Sequence, residues 1–279
     1  MDDGGRGELA GGSADGAVGR EAMSASRTFV IGDIHGCVDE VERLLEYIAP
    51  TPGDTVVFLG DYVDRGPSAK GVIDRLLRLQ GEGPRCVFLK GNHEDMFLAF
   101  LGYEGRYPDA FLINGGEATL RSYGLEGCAG PAVARTLPPE HLQFLRSLQL
   151  YHPEGEFLCV HGGLSPVRPL DEQISEDLLW IREEFIASRH PFPFTVLFGH
   201  TPSREVFIDL PYKIGLDTGL VYWNKLSCLE LREKELYQIR RGERAVQQRS
   251  LQRQFADMRE RRAAAGTGTP GNRNNEGVP

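Results

Sequence analysis

The amino-acid sequence predicts a layered α/β fold. The main evidence is a repeated local pattern, in which a short apolar run is followed by glycine and then by a cluster of polar residues. Segments with the spacing of an amphipathic helix come after several of these runs. Strands that alternate with helices are typical of folds in which helices cover a sheet and functional groups gather where the strands end.

The pattern occurs five times. Each apolar run is too short for a helix and is rich in residues that favour strands. Because the runs are apolar throughout instead of alternating, they indicate strands that are buried on both faces. In chain order, the five segments are TFVIGDIHG, TVVFLGDYVDRG, CVFLKGNHE, FLCVHGG and TVLFGHTP.

Helices are predicted after the first and the second strand. Apolar residues recur there at intervals that place them on one face of a helix, which would cover the sheet. The first stripe is Val38, Val41, Leu45 and Ile48, and the second is Val72, Ile73, Leu76, Leu77 and Leu79.

Two later segments break the alternation. Residues 103–140 contain Gly, Pro and Tyr with weak periodicity, and we interpret them as an insertion that forms a lid or a wall of a substrate site. Nearer the C-terminus, KIGLDTGLVYW and LSCLELREKELYQI predict consecutive strands, which would complete a second, largely antiparallel sheet.

The two ends of the chain differ in composition from the domain predicted over residues 27–240. Residues 1–26 are rich in Gly, Ala, Ser and Asp and are predicted to be a disordered leader, with Met23 as a candidate start of translation. Residues 241–279 are predicted to be a basic, partly disordered tail. Within it, residues 244–262 are interpreted as a solvated peripheral helix, and docking to an acidic partner is the alternative.

The charge distribution disfavours nucleic acid as a partner. The net charge is −9, although nine arginines stand against four acidic residues from Arg240 onward, so the rest of the chain is more acidic still. A polyanion would be repelled by such a body, which also argues against a nucleic-acid phosphodiesterase.

The cell compartment of the protein is predicted from the kinds of segment that its sequence lacks. The sequence has neither an apolar stretch long enough for a membrane span nor the start of a secretory signal, so we expect no membrane partner and a cytoplasmic location. Its five cysteines are scattered and never form CxxC, and we expect them to be reduced and mostly buried.

Polar residues with metal-binding side chains follow all five predicted strands. One histidine after a strand would be ordinary, but the recurrence indicates a common site, because strand ends converge at one edge of this kind of fold. The seven residues are Asp33, His35, Asp61, Asn92, His93, His161 and His200.

This set of donors predicts divalent metal ions. Oxygen and nitrogen ligands without thiolate suit Mn, Fe or Zn. The set holds more ligands than one ion needs, which indicates two ions that share a carboxylate. Two such ions activate water and stabilise charge on a phosphoryl group, so the predicted reaction is phosphoester hydrolysis.

The ordered motifs GDIHG, GDYVDRG, GNHE, HGG and GH resemble those of the phosphoprotein phosphatases, which are metal-dependent serine/threonine phosphatases within the calcineurin-like metallophosphoesterases. The similarity spans roughly residues 28–240 and is strongest to the bacterial and bacteriophage members. It implies a four-layer αββα sandwich of two mixed β-sheets flanked by helices. It also implies a dinuclear centre, with Mn²⁺ as the first expectation and Fe or Zn as alternatives.

The same resemblance implies a role for each matching residue. The first ion would be held by Asp33, His35 and the bridging Asp61, and the second by Asp61, Asn92, His161 and His200. The general acid would be His93, oriented by Asp64. The substrate phosphate would be bound by Arg65, Asn92 and Arg182, with Arg168 and Arg204 as alternatives to Arg182.

Two substrate classes remain open from the sequence. The first interpretation is hydrolysis of phosphoserine, phosphothreonine or phosphotyrosine in proteins, and the alternative is hydrolysis of a dinucleoside polyphosphate or another small phosphoester. His35 and the Asp64-Arg65-Gly66 sequence favour the first, because symmetrical dinucleoside tetraphosphatases tend to depart at both places. A non-catalytic binding module is disfavoured, since none of the six expected ligands is missing.

Overall fold

The computed structural model describes residues 26–266 of the chain, and the side chains of residues 26–260. Of the leader predicted over residues 1–26, only Ser26 is described, so its predicted disorder lies outside the described residues. The same holds for residues 267–279 of the predicted tail.

Six strands form the first sheet, in the order β11-β10-β9-β1-β2-β3. Strands β1, β2 and β3 are parallel, whereas β9, β10 and β11 extend the sheet in antiparallel fashion. The strands are β1 (Thr28–Ile31), β2 (Thr55–Phe58), β3 (Arg85–Phe88), β9 (Lys225–Glu230), β10 (Glu235–Arg240) and β11 (Val246–Ser250).

Five strands form the second sheet, in the order β4-β5-β6-β8-β7. Its three central strands are parallel, and an antiparallel strand lies at each edge. The strands are β4 (Tyr151–Glu154), β5 (Phe157–Val160), β6 (Thr195–Phe198), β7 (Phe207–Asp209) and β8 (Lys213–Gly215).

Helices cover the outer faces of the two sheets, except the last helix, which packs into the space between them. α1 and α2 lie where the apolar stripes predicted them. The helices are α1 (Val38–Ile48), α2 (Ala69–Gly81), α3 (Asn92–Phe100), α4 (Glu117–Ser122), α5 (Gly130–Thr136), α6 (Pro139–Arg146), α7 (Ser175–Trp180), α8 (Glu183–Ala187) and α9 (Gln252–Gly266). A π-helical turn at Leu112–Gly116 and 3₁₀ turns at Leu170–Glu172 and Leu220–Tyr222 complete the described elements.

The strands are apolar along almost their whole length because each one contributes side chains to two cores. In β1, Phe29 and Ile31 pack against the helices α1 and α2, whereas Val30 points into the cluster between the two sheets. Successive side chains of a strand face opposite ways, so a strand buried on both sides needs apolar residues throughout. A third cluster joins the second sheet to α7 and α8. The predicted αββα sandwich of two mixed sheets is confirmed.

The C-terminal strands were assigned to the wrong sheet by the sequence. β9 pairs with β1 and β10 pairs with β9, so both widen the first sheet, and only β8 joins the second one. Within KIGLDTGLVYW the strand ends at Gly215, and the residues that follow form a loop and a 3₁₀ turn. Local pattern identifies a strand, but it carries no information about its partner, because pairing depends on contacts distant in sequence.

The segment beyond residue 240 is structured as far as it is described. Residues 246–250 form the edge strand β11, where the sequence suggested a helix, and α9 follows. Leu251, Phe255 and Met258 are buried in the cluster between the sheets. The folded unit therefore extends past the predicted boundary, while the acidic partner remains a prediction.

Composition led to one expectation for the cysteines and another for membrane-spanning helices. All five cysteines lie in the described part of the chain and are free, and Cys37, Cys159 and Cys228 are buried. Between residues 26 and 266, no helix combines the length and the apolar character needed to cross a membrane.

Candidate metal centre

The polar residues that follow five of the strands meet at one edge of the two sheets. β1, β2 and β3 run parallel, as do β5 and β6, so the loops after them leave the sheets on the same side. The structure brings together seven buried side chains, those of Asp33, His35, Asp61, Asn92, His93, His161 and His200.

The backbone of these loops is strained at the residues that carry chemistry. Left-handed φ angles occur at His35 (+46°), Asp61 (+54°), Asp64 (+69°), Arg65 (+66°) and His200 (+65°). Residues other than glycine rarely adopt this conformation, and it costs about 1–3 kcal/mol where the surroundings enforce it. Strain of this kind is typical of functional sites, where the position of a side chain matters more than a low-energy backbone conformation.

Two glycines allow the backbone to approach the carboxylates closely. A Cβ atom at Gly91 would overlap Asp61 Oδ1, and one at Gly199 would overlap Asp33 Oδ1. A side chain at either position would therefore displace a carboxylate that the sequence predicts as a ligand.

Glu94 fixes the loop that begins at Asp61. Its Oε1 accepts the N–H groups of Tyr62 and Val63 at 2.7 and 3.1 Å. Its Oε2 accepts those of Asp61 and Gly91, both at 2.9 Å. Burial, together with the charge of Asp61, raises the pKa of Glu94 to about 8. This one carboxyl group thus links the loop after β2 to the loop after β3.

Two groups of metal-binding atoms share Asp61. His35 and His93 make up the first group with it, and His161 and His200 the second, and within each group the ligand atoms lie within 4.8 Å of one another. Asp61 Oδ2 is 3.4 Å from His35 Nε2, and Asp61 Oδ1 is 3.3 Å from His161 Nε2. Asp61 thus lies between the two groups, where the predicted bridging ligand would have to lie.

Asn92 and Asp33 complete the surroundings of these groups. Asn92 Oδ1 lies 3.0 Å from His161 Nε2 and 2.9 Å from His200 Nδ1, so it adds an oxygen to the second group. Asp33, predicted for the first ion, belongs to neither three-residue group. Its Oδ1 and Oδ2 instead accept the backbone N–H of His200 at 3.2 and 3.0 Å.

The imidazoles of His35 and His161 are held in the neutral form. Burial lowers the pKa of His161 and lowers that of His35 to about 3. The Nδ1–H of His35 donates to the Val63 carbonyl and that of His161 to the Leu59 carbonyl, each at 2.8 Å. With the proton fixed on Nδ1, the bare Nε2 of each ring faces Asp61.

Buried carboxyl groups are crowded together around these histidines. Burial and the nearby charges of Asp217 and Asp61 raise the pKa of Asp33 well above its usual range. Burial alone would also raise the pKa of Asp61, but the four surrounding imidazoles lower it far below its ordinary value. Three buried acids at one place favour a site for positive charge.

His93 is paired with Asp64 at the edge of the first group. His93 Nδ1 and Asp64 Oδ2 are 2.6 Å apart, and both side chains are buried. Burial would lower the pKa of His93, but the charge of Asp61 and the hydrogen bond to Asp64 outweigh it and raise the pKa. The pairing therefore favours the protonated imidazole, whose Nε2 faces away from Asp64 and could pass a proton on.

Two arginines flank the ligand set from opposite ends. Arg65 Nη1 lies 2.8 Å from His35 Nε2, and Arg182 donates from Nε to His200 Nε2 at 2.9 Å. Of the alternatives to Arg182, Arg168 is paired with Asp177 at 3.0 Å, and Arg204 is exposed. The guanidinium groups of Arg65 and Arg182 are therefore placed to bind an anion that approaches the centre.

A sequence model of the calcineurin-like phosphoesterase family matches residues 26–235. The chain belongs to this family.

The relatives of this calcineurin-like phosphoesterase are named as nucleotide hydrolases. It is 35% identical over 140 residues to the symmetrical bis(5′-nucleosyl)-tetraphosphatase of Dechloromonas aromatica strain RCB, which covers 50% of this chain and 44% of that protein. It is 25% identical over 239 residues to the asymmetrical bis(5′-nucleosyl)-tetraphosphatase PrpE of Bacillus cereus strain AH187, covering 75% of this chain and 92% of that protein. The chain thus matches less than half the length of the symmetrical enzymes.

A solved structure supports the same comparison. A candidate diadenosine tetraphosphatase is 25% identical, with a TM-score of 0.60, and the match covers 78% of this chain and 95% of that one. The assignment to calcineurin-like phosphoesterases is therefore shown by sequence and by fold. The finer assignment to phosphoprotein phosphatases is not.

The donor atoms of this phosphoesterase suit a pair of divalent ions. Bare imidazole nitrogens, a shared carboxylate and an amide oxygen converge, and the acids around them are short of positive charge. His35, Asp61, His161, His200 and Asn92 would hold the ions, with Asp33 alongside. When bound, such a pair supplies an activated water and stabilises phosphoryl charge.

Sequence reasoning missed three residues that support the site. Glu94 stood in the quoted GNHE motif without a role. Asp217 lies two residues beyond β8, and the same rule that found the other strand ends would have found it had β8 been recognised as a site strand. Thr119 donates from Oγ1 to Asp64 Oδ1 at 2.6 Å, and it lies in the insertion, where no strand-end pattern exists.

Proposed function

We propose that the chain hydrolyses dinucleoside tetraphosphates. The observation that carries this proposal is the alignment with an asymmetrical bis(5′-nucleosyl)-tetraphosphatase over 92% of that protein's length. The family model, which matches residues 26–235, includes all the strands whose ends supply the site. The alternative that the sequence left open thereby becomes the first candidate, ahead of protein phosphatase.

The geometry of the site suits a chain of phosphates. Arg65 and Arg182 stand beside different ligand histidines, His35 and His200, so the two guanidinium groups are separated by the ligand set. A tetraphosphate presents several charged units in a row, which can engage both groups at once. We infer that one guanidinium binds the phosphate under attack and that the other binds a neighbouring phosphate.

Hydrolysis of phosphomonoesters on proteins is the second candidate. It is favoured by the His93–Asp64 pair, because a serine or threonine alkoxide is a poor leaving group and gains most from a proton donor. A phosphate leaving group needs that proton less. The two candidates therefore differ in how strongly they depend on His93.

Rates measured side by side on two substrates test the proposal. With Mn²⁺ present, the purified chain is compared on diadenosine tetraphosphate and on phosphoserine and phosphothreonine peptides, with D61N as the inactive control. We expect kcat/KM at least tenfold higher on diadenosine tetraphosphate. A preference for the peptides by a similar factor would establish the second candidate and overturn the first.

A further inference from the structure

An exposed aromatic pair lies on the loop that follows β8. Tyr222 is 57% exposed and Trp223 is 77% exposed. Side chains of this size usually bury most of their surface, so two adjacent ones in water suggest a contact that is made only with a ligand.

The loop holds these rings outward and leaves them little freedom to fold back. The N–H of Gly219 donates to Asp217 Oδ1 at 2.9 Å, and the N–H of Tyr222 donates to the Gly219 carbonyl at 3.0 Å. Asn224 Nδ2 donates to the carbonyls of Thr218 and Arg204 at 2.6 and 3.0 Å. Trp223 has a φ of +63°, a strained conformation that the loop enforces. The rings are therefore preorganised.

Each ring has an arginine beside it. The guanidinium carbon of Arg65 lies 5.6 Å from the centre of the Tyr222 ring, and that of Arg241 lies 4.7 Å from the Trp223 ring. Arg65 also reaches His35 Nε2 at 2.8 Å. One guanidinium thus spans the distance from the ligand set to the first ring.

This arrangement selects for a ligand with two joined parts. Next to the ligand set it offers positive charge for a phosphate, and one side chain further out it offers flat aromatic surface. Nucleobases stack on aromatic rings with little regard to base identity, and arginine adds to this attraction. A nucleotide has these two parts in the same order.

We propose that Tyr222 and Trp223 form the surface on which a nucleobase of the substrate stacks, with Arg65 joining this surface to the phosphate site. The inference rests on the proposed function, since it assigns the nucleoside end of a dinucleoside tetraphosphate. An aromatic side chain of a phosphopeptide is the competing occupant, and the test below separates the two.

The test compares substrates with and without a base. KM is measured for diadenosine tetraphosphate and for inorganic tripolyphosphate in Y222A, W223A and the matched control Y47A, whose tyrosine is 50% exposed on α1. We expect the KM for diadenosine tetraphosphate, divided by the KM for tripolyphosphate, to rise about 5- to 100-fold in Y222A or W223A. The same ratio should stay constant in Y47A. Y222F, which keeps the ring, should restore the ratio. An unchanged ratio in both alanine variants would overturn the proposal.

A second measurement works even if the proposed function fails. ADP and pyrophosphate are compared as inhibitors of p-nitrophenyl phosphate hydrolysis by the wild type and the same variants. We expect ADP to inhibit more tightly than pyrophosphate in the wild type, and the difference to shrink in Y222A or W223A. Equal inhibition by the two compounds in the wild type would contradict the stacking surface. Variants in which the binding of phosphopeptides alone is weakened would contradict it as well.

Discussion

The pairing of His93 with Asp64 determines what the site can do to a leaving group. Asp64 is buried and bonded on both oxygens, to His93 on one side and Thr119 on the other. It therefore fixes the orientation of the ring and favours its protonated form. The ring nitrogen that remains, Nε2, is the one that can donate to an oxygen leaving from phosphorus.

Replacing His93 by Asn should lower kcat by roughly 10²- to 10⁴-fold on an alkyl phosphate, because the general acid is lost. The loss should be smaller on p-nitrophenyl phosphate, whose leaving group needs no proton. Metal analysis of the variant should show the same content as the wild type. Equal losses on both substrates would show that His93 binds and does not act as an acid.

Replacing Thr119 by Val should destabilise the protein and impair the acid together. The change leaves the Asp64 N–H and Oδ1 without their shared hydroxyl partner, at a cost of about 1–3 kcal/mol in the free energy of unfolding. Urea denaturation measures this cost, and the kcat of the folded variant measures the effect on His93. Thr119→Ser keeps the hydroxyl and serves as the control. If valine were as good as serine, Asp64 would not depend on the insertion.

Replacing Asp61 by Asn should reduce metal binding at both groups, because one carboxylate lies between them. We expect the bound Mn²⁺ per chain, measured after gel filtration, to fall by more than half, and turnover to be nearly abolished. Loss of one ion with the second retained at full affinity would contradict the bridging position.

At the scale of elements, the start of β1 is tied to the loop between α1 and β2. Asp54 accepts hydrogen bonds from the Arg27 side chain at 2.7 Å and from the Thr51 N–H at 2.8 Å. Burial alone would raise the pKa of Asp54, but these bonds outweigh it and lower the pKa to about 2 from an ordinary 3.8. The loop thus carries an ionised acid that stabilises the register of β1 and β2.

This shift predicts how stability depends on pH. A carboxyl whose pKa is lowered by folding stabilises the native state above its unfolded pKa of 3.8, and that contribution is lost as the pH falls toward about 2. Because Arg27 is partly exposed and water screens the pair, we expect about 1 kcal/mol. Melting temperatures measured between pH 5 and pH 2 should fall less steeply in D54N than in the wild type. Parallel curves would show that Asp54 contributes no such stability.

The elements differ in how far the sequence reveals them. β1, β2, β3, β5 and β6 are almost continuously apolar and are followed within a few residues by glycine, so their pattern was clear. β4 carries a proline and β11 reads VQQRS, and neither looks like a buried strand. These edge strands form because a neighbour offers unpaired backbone groups, and that neighbour lies far away in sequence.

At the scale of the whole molecule, α9 closes the space between the two sheets. Phe255 is buried there, with its ring 6.3 Å from that of Phe157 in the second sheet. Lys234, which follows β9 in the first sheet, places its Nζ 4.8 Å from the centre of the Phe255 ring. The segment that looked like a peripheral tail therefore holds the sandwich together.

Replacing Phe255 by Ala should lower the free energy of unfolding by about 3 kcal/mol, as expected for a large aromatic removed from a core. The matched change at the exposed Arg253 should alter it by less than about 0.5 kcal/mol. Chemical denaturation gives both values. Specific activity below the midpoint of unfolding should stay constant in both variants, since neither side chain reaches the site. Equal stability of the two variants would show that α9 contributes no packing.

The residues that gather at the strand ends follow a local rule, whereas the pairing of the strands does not. Metal-binding residues must follow strands whose ends converge, so a local rule locates them. Thr119 and the partners of β9 follow no local rule, because they depend on how distant segments meet. Asp33 shows the limit of the rule in the other direction: it lies at the expected strand end, yet its carboxylate is turned toward the backbone of His200.

The left-handed backbone at Asp61, Asp64 and Arg65 has a consequence for engineering. Glycine would adopt the angle at Arg65 without strain, so a glycine variant there should gain stability from a relaxed backbone while losing a guanidinium group beside the ligand set. Selection for heat tolerance alone would thus drive this loop toward inactivity. A thermostable version of the protein has to take its gains from sites such as the exposed face of α9, and leave the loop after β2 untouched.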